Sequence, residues 1–406
     1  MADSADVIVV GGGVIGCAAA LHLASAGLSV VLVERDDVGQ ATSAAGAGFI
    51  GMWAAGWATT FGHEHIAIER YGLDFYQALA ETRNDFGYLQ NGNLYVATTQ
   101  KAWDSFVAPH VADPTAVPNL RRLTAEEIAD LTGIFPADRL YGGILHPDGA
   151  QLSAAKAARA IADQFVEAGG RLATRRPVTG LKCQAGRIRG VETLHGPIRA
   201  ERVVIAAGAW TNAILRGLGI WLPMTPLVAF RVLTEALGVP RTMPTVMLGE
   251  VPMYIRGENG ALLWGMHYRE RPRFAFVDAE VPERFDQLPL DGFFEVKKVA
   301  QAVARTVPLL AQARSQTVAF GAPTFTPDQR PFLGAIAEVD GLYVAVGCNE
   351  AGVTHAPGYG QLLAELLENG RTTLCSVQAF DPARFGTTHS NEHDVLVALQ
   401  RTRPAI

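Results

Sequence analysis

Near its start the chain changes hydrophobic rhythm twice. Val7–Val10 is an unbroken β-branched run, as expected of a strand buried on both faces. Glycines occupy positions 11, 13 and 16, and residues 14–26 then carry Ile15, Ala18, Ala19, Leu21, Leu23 and Ala24 with no proline, which predicts a helix ended by Gly27. Residues 29–33 form a second β-rich run that stops at Glu34. The pattern is a strand-turn-helix-strand unit.

Residues 39–57 are so rich in Gly, Ala, Ser and Thr that no regular amphipathic element fits them; such backbone is suited to lie against a ligand. The pattern then predicts a helix over 64–82, short strands and turns over 86–145 with a polar helix at 124–131, and a helix over 153–168. That last helix is expected to be capped by Ser153, closed by Gly169 and Gly170, and to bury Ala157, Ile161 and Phe165. Short strands follow, ending in a buried one at 203–206 that stops at Ala207 and Gly208. From 223 to 320 strands alternate, with a hairpin over Glu258-Asn259-Gly260 and one helix near 293–306. A buried strand at Leu342–Val346, a glycine-flanked loop and a helix over 358–368 complete the series, and no internal repeat is visible.

The spacing Gly11-x-Gly13-x-x-Gly16 falls where a dinucleotide fingerprint belongs, between a strand and the helix it opens. Gly11 permits the tight turn, Gly13 lets backbone approach a pyrophosphate, and Gly16 lets helix and strand pack closely. Free N–H groups around Val14 and Ile15 then face the anion, and Glu34, about twenty residues on, is an acceptor for ribose hydroxyls. The glycines alone do not separate NAD from FAD.

Composition narrows the class. At 406 residues the chain suits two domains, and a net charge of -6 with scattered signs argues against nucleic acid as a partner. No stretch approaches the roughly 20 apolar residues of a spanning helix, and a strand beginning at Val7 leaves no room for a signal peptide, so a cytoplasmic protein without membrane insertion is expected. Cys17, Cys183, Cys348 and Cys375 are widely spaced, which suggests neither disulfides nor zinc but small buried residues. The triplet His63-Glu64-His65 lacks the spacing of a metal motif and reads as a solvated helix start, so no metal is expected.

Four stretches carry a wider resemblance: the N-terminal fingerprint, the loop at 41–48, "VVIAAGAW" at 203–210, and "FTPDQRPFLG" followed by "VGCNEAGVTHAPGYG". Together, and over nearly the whole chain, they resemble the D-amino-acid oxidase-like flavoproteins, which include glycine oxidase, sarcosine oxidase and dimethylglycine dehydrogenase. The last pair is similar to the sarcosine and dimethylglycine dehydrogenase branch. The resemblance implies an α/β fold in which a Rossmann-type FAD-binding domain (1–82, 146–222 and 321–386) is interleaved with a mixed-sheet α+β substrate domain (83–145 and 223–320), followed by a C-terminal tail at 387–406.

It further implies that Gly11, Gly13 and Gly16 hold the FAD pyrophosphate, Glu34 and Arg35 the adenosine ribose, and Thr42 and Ser43 the phosphate side, with Val178 near adenine and Ala207, Gly208 and Trp210 also at the cofactor. Ala45, Gly46 and Gly48 would line the isoalloxazine, and Gly347, Gly352, Val353 and Thr354 would approach its pyrimidine edge. A helix beginning near Pro357 would aim its positive end at that edge. Relatives that attach FAD covalently use a histidine or a cysteine where this chain has Ser43 and Gly321, so dissociable FAD is expected. Pro323 and Thr354 stand where amino-acid-oxidising members keep an arginine or a lysine for the substrate carboxylate, which leaves Arg231 and Arg256 as candidates or a substrate without a carboxylate there.

Tyr254 and His267 fall near the tyrosine and histidine of sarcosine oxidase pockets, and Glu350 is placed to pair with an ammonium group. The expected function is FAD-dependent oxidation of a small secondary or tertiary amine or amino acid, by hydride transfer to flavin N5 and hydrolysis of the imine. Oxidation of a hydroxy acid or alcohol on the same fold, or a flavin-binding regulatory protein without turnover, are the alternatives. The resemblance also implies that Leu263 stands where oxygen-reactive relatives hold a lysine over the flavin, which favours a dehydrogenase slightly over an oxidase.

Overall fold

A computed structural model describes residues 4–57, 61–111, 117–250, 253–266, 281–285 and 300–402. The strand-helix-strand unit forms as expected: Val7–Val10, helix Val14–Ser25 and strand Val30–Val33, with both strands fully buried. They lie inside a six-stranded sheet in the order Phe332–Ala335, Leu342–Val346, Arg202–Ile205, Val7–Val10, Val30–Val33, Arg171–Ala173. All its pairings are parallel except the first. Helices Val14–Ser25, His63–Thr82, Ala154–Glu167 and Gly352–Asn369 cover one face through a continuous apolar core. Val178–Gln184, Arg187–Thr193 and Ile198–Arg199 form a three-stranded sheet over the other.

A second, eight-stranded sheet runs Ser315–Gly321, Ala229–Val239, Gly260–Met266, Met253–Glu258, Thr245–Leu248, Asn93–Ala97, Gly142–His146, Arg121–Leu123. It is mixed, because Thr245–Leu248 joins Asn93–Ala97 in parallel while its other pairings are antiparallel. Its strands come only from 93–146 and 229–321, so the chain leaves the first sheet twice to build the second. The hairpin closes over Asn259 and Gly260, both at positive φ (51° and 84°), the conformation that a two-residue turn between right-twisted strands requires.

Several local expectations are corrected. The last long helix begins at Gly352, and Pro357 lies inside it. Proline has no N–H to offer the Val353 carbonyl, and the Tyr76 hydroxyl donates to that carbonyl instead at 2.9 Å, so the helix continues unbroken. Ser153 sits at the N-cap of Ala154–Glu167 but its side chain makes no cap bond, whereas Thr124 and Glu127 form a full capping box on Ala125–Thr132. His65 is buried, not solvated, against His355 and Phe380. Of the cysteines, Cys17 is buried but Cys183 is exposed. The segment expected as a tail contains helix Glu392–Thr402, which packs Val395 and Leu399 on Leu227 and Phe325. The first half of the helix expected near 293–306 falls outside the described residues, and 300–303 are helical.

Among the described residues no helix is long and apolar enough to cross a membrane.

Candidate active site

One cavity of about 890 Å³ runs from the glycine turn to the second sheet. Every residue expected at the cofactor lines it except Gly16, which packs behind the turn. A Cβ on Gly16 would come within 1.8 Å of the Gly11 carbonyl oxygen, and one on Gly11 within 2.5 Å of the Ala206 oxygen. These two glycines allow the strand, turn and helix to touch. Gly13 differs, because a Cβ there would meet only Ser43 Oγ, at 3.5 Å, and would otherwise fill the cavity. The backbone around Gly13 therefore forms an open cradle at a helix N-terminus, as a pyrophosphate needs.

Glu34 lines the same end, where its carboxylate accepts hydrogen bonds from the N–H groups of Gly12 (2.5 Å) and Asp36 (2.8 Å). Ser43 Oγ accepts from the Val14 N–H at 3.1 Å and Thr42 Oγ1 from the Ala322 N–H at 3.1 Å, so the loop after the second strand is tied to the first helix and to the segment beyond the second sheet. Arg35 lies over the Trp210 ring at 4.4 Å, and that ring meets Phe285 at 5.2 Å, closing the end where Val178, Ala207 and Gly208 also stand.

Gly347, Gly352, Val353 and Thr354 bring a second helix N-terminus to the cavity, with Gly352 beside Ile15 of the first helix and Val353 beside Gly46. The loop before it is held in left-handed conformations at Gly347, Asn349 and Glu350, with φ of 72°, 48° and 73°. Asn349 keeps it there: its Oδ1 accepts from the Thr326 N–H at 3.0 Å and its Nδ2 donates to the Gly347 carbonyl at 2.6 Å. Ala45, Gly46 and Gly48 line the wall between the two helix ends. The open cradle, the Glu34 carboxylate at its side and the second helix terminus fit FAD, which would supply a hydride acceptor when bound.

Tyr254 lines the cavity beside Phe49, with ring centroids 5.6 Å apart. Its phenol lies across Gly265, where a Cβ would come within 2.2 Å of the hydroxyl oxygen. Arg256, expected to face substrate, does not line the cavity. It is 2% exposed, ion-paired with Glu258, and its Nε donates to the Ala47 carbonyl at 2.9 Å, so it braces the 45–48 loop from behind. Arg231 pairs with Gly265, which pairs with Tyr254, placing it on the Tyr254 face; it too is absent from the lining. Leu263 is 1% exposed within the Tyr254 cluster and does not reach the cavity. Glu350 lines it and is half-buried. His267 lies outside the described residues.

Sequence reasoning missed the far wall. Trp53, Tyr95 and Phe106 line it, with centroid separations of 5.7, 6.1 and 5.9 Å, and beside them stands Glu69, a carboxylate 1% exposed. A signal for Glu69 was present. It falls on the buried stripe of helix His63–Thr82 with His65, Ile68, Gly72, Leu73, Tyr76 and Leu79, where a charge is out of place.

This geometry agrees with what the chain is similar to. Human sarcosine dehydrogenase (mitochondrial, Homo sapiens) is 29% identical over 402 residues, covering 94% of this chain and 42% of that protein. 4-Methylaminobutanoate oxidase (formaldehyde-forming) of Paenarthrobacter nicotinovorans is 30% identical over 405 residues, covering 96% of this chain and 47% of that protein. The chain therefore spans about half the length of these curated relatives. The crystal structure of glycine oxidase from Geobacillus kaustophilus superposes with a TM-score of 0.79 at 27% identity, over 94% of this chain and 99% of that one. A family model described as FAD dependent oxidoreductase matches residues 6–366, and the chain belongs to that family.

Proposed function

We propose that the protein oxidises the carbon–nitrogen bond of a small secondary or tertiary amine or amino acid, with non-covalently held FAD as hydride acceptor and water hydrolysing the resulting imine. One observation carries the reading: the cradle and the aromatic wall with Tyr254 belong to a single cavity, so a small substrate in front of that wall faces the end of the cofactor site opposite the adenosine. The names of the relatives, which concern sarcosine and 4-methylaminobutanoate, supply the amine.

The chain's own residues hold and orient. The turn at Gly13 and the helix ends at Val14 and Gly352 place partial positive charge at the two ends where the cofactor carries or gains negative charge. Phe49, Trp53, Tyr95, Phe106 and Tyr254 exclude water from the substrate side. Arg256 is committed to Glu258 and Ala47 and Arg231 does not line the cavity, so neither arginine is assigned to a substrate carboxylate, which suits a substrate without a carboxylate at that place. Dissociable cofactor follows from Ser43 and from Gly321, where even a Cβ would press to 3.0 Å from Ala45. An acceptor other than oxygen is favoured, because Leu263 is buried in the wall and puts no charge in the cavity.

The test is an anaerobic screen of amines, amino acids and hydroxy acids against the purified protein, read by loss of flavin absorbance. Bleaching by N-methylated amines is expected, slowed in Tyr254→Phe at unchanged flavin content. Bleaching by hydroxy acids alone would replace the reading. Acid precipitation should leave all the flavin in the supernatant.

A further inference from the structure

We propose that Glu69, together with the rings of Trp53, Tyr95 and Phe106, forms a seat for an alkylammonium group of the substrate. The proposal rests on the amine-oxidation reading and adds the contact that would select a cation. Glu69 lies on the inner face of helix His63–Thr82, is 1% exposed, and lines the cavity. Two backbone N–H groups and one histidine ring nitrogen, whose role depends on the tautomer, are its partners. The Ala54 N–H reaches its two carboxylate oxygens at 3.0 and 2.9 Å, the Trp53 N–H also donates to it, and His355 Nε2 stands 3.3 Å from Oε1. The His355 Nδ1 is in turn 3.0 Å from the Tyr359 hydroxyl, which fixes the ring behind the carboxylate.

Among the described residues no lysine or arginine neutralises this carboxylate. Arg70, next in sequence, acts on Glu69 only through space, as the smallest of the influences on its carboxyl, and makes its ion pair with Asp148 at 3.0 Å. The arginines that do line the cavity, Arg35, Arg176 and Arg216, are grouped at the adenosine end with Trp210 and Val178. A carboxylate buried so completely without a cation must hold a proton or acquire a positive ligand. Three aromatic faces beside it supply the other half of an ammonium site, because their negative faces attract a cation while their apolar area accepts its methyl groups. Glu350, the carboxylate that the sequence offers for the same task, is only half-buried.

The carboxyl state gives the seat a signature. Burial pushes the Glu69 carboxyl well above the usual carboxylate range, so a bound cation must displace its proton. Affinity for a cation that carries no proton of its own should then rise with pH. The other groups facing Glu69 do not mimic this between pH 6 and 8.5: burial holds His355 and His65 down at about 3, and the Tyr95 and Tyr359 hydroxyls are pushed above their usual range. Arg70 stays paired with Asp148.

The probes are choline and its neutral carbon isostere 3,3-dimethylbutan-1-ol, titrated by calorimetry into the FAD-loaded protein and its Glu69→Gln variant. Wild type should bind choline about ten-fold or more tighter than the isostere, with choline affinity rising with pH, as expected of a buried charge pair with cation–π support. Glu69→Gln keeps an acceptor for the Ala54 N–H and should bind the two probes alike at every pH. Equal binding by wild type, no binding of either probe, or an unchanged ratio in the variant would overturn the seat. Should the variant not fold, the wild-type ratio and its pH slope decide alone. The two readings fail separately: amines that bleach the flavin while the ratio survives Glu69→Gln sink only the seat, and a choline preference lost in the variant while no amine bleaches the flavin sinks only the oxidation.

Discussion

The glycine cradle and the aromatic wall share one cavity but are built in opposite ways. The cradle is backbone, specified by side chains that are missing: Gly11 and Gly16 because strand and helix must touch, Gly13 because the space in front of it must stay open. Its residues lie close together in sequence. The wall is side chain, assembled from Trp53, Glu69, Tyr95, Phe106 and Tyr254, which come from a loop, a helix, a sheet strand, a short helical turn and a hairpin. A site of the first kind announces itself as spacing, whereas one of the second kind exists only after folding.

The largest test of that contrast compares two glycines three residues apart. Gly16→Val should yield no folded protein, since even the first carbon would lie 1.8 Å from the Gly11 oxygen and neither backbone can move without parting helix from strand. Gly13→Val should fold, with a thermal midpoint near wild type, and purify colourless, because its side chain projects into open cavity. Bound flavin in folded Gly13→Val would mean that the open side of the turn does not receive the cofactor.

Acid should attack the wall. Burial holds His146 down at about 3 and His110 well below its usual range, and among the described residues neither ring of the pair, whose centroids are 5.3 Å apart behind Tyr95, has a hydrogen-bond partner for either nitrogen. A histidine whose folded pKa is depressed binds its proton more readily when unfolded, so its contribution is present above about 6.5 and is lost as pH falls toward 3. His65 and His355, also held at about 3, act in the same direction. Glu69 runs the other way, its raised pKa adding stability below about 4.5 that is lost as pH rises, but it is one group against these four histidines and His22, which burial also lowers. The thermal midpoint should fall steeply between pH 6.5 and 3, and His146→Leu should shift that fall to lower pH. A midpoint flat across the window would show that these rings are not held neutral.

What the sequence made legible follows the same division. The first sheet's strands, the fingerprint and the Asn259-Gly260 turn were readable because period, glycine spacing and turn chemistry are local. The start of the last helix was misplaced by five residues or more because Pro357 suggests a first turn, and only the distant Tyr76 hydroxyl makes an interior proline tolerable there. Arg256 was assigned to substrate on residue type alone. Its true partners, Glu258 two residues on and the Ala47 carbonyl, depend on a loop passing behind the hairpin. Glu69 was hidden for a third reason: its helix was visible, but the meaning of a charge on the buried stripe depends on what that stripe faces.

Arg256 joins the two regions, which makes their independence measurable. Glu258→Ala leaves the buried guanidinium with the Ala47 carbonyl and no counter-charge, at a cost of about 3 kcal/mol, the low end for a broken buried pair because Glu258 is itself 28% exposed. The thermal midpoint should drop, and FAD affinity should drop with it, since the same guanidinium braces the 45–48 loop. A lower midpoint with unchanged FAD affinity would show that the wall can loosen without disturbing the cradle.

The smallest expected effect concerns the helix end that reaches the cavity beside both regions. Tyr76→Phe removes the hydroxyl that donates to the carbonyl that Pro357 leaves without an intrahelical donor, and should cost about 1 kcal/mol, the usual net worth of one hydrogen bond. Pro357→Ala restores an N–H four residues along from Val353, which can then close an ordinary helical bond. In that background Tyr76→Phe should cost little, so the two substitutions should be non-additive by most of that amount in denaturant-unfolding midpoints. Additive costs would mean that the tyrosine acts through its packing against Phe75 and Phe86, and that the proline is accommodated by some adjustment other than the hydroxyl.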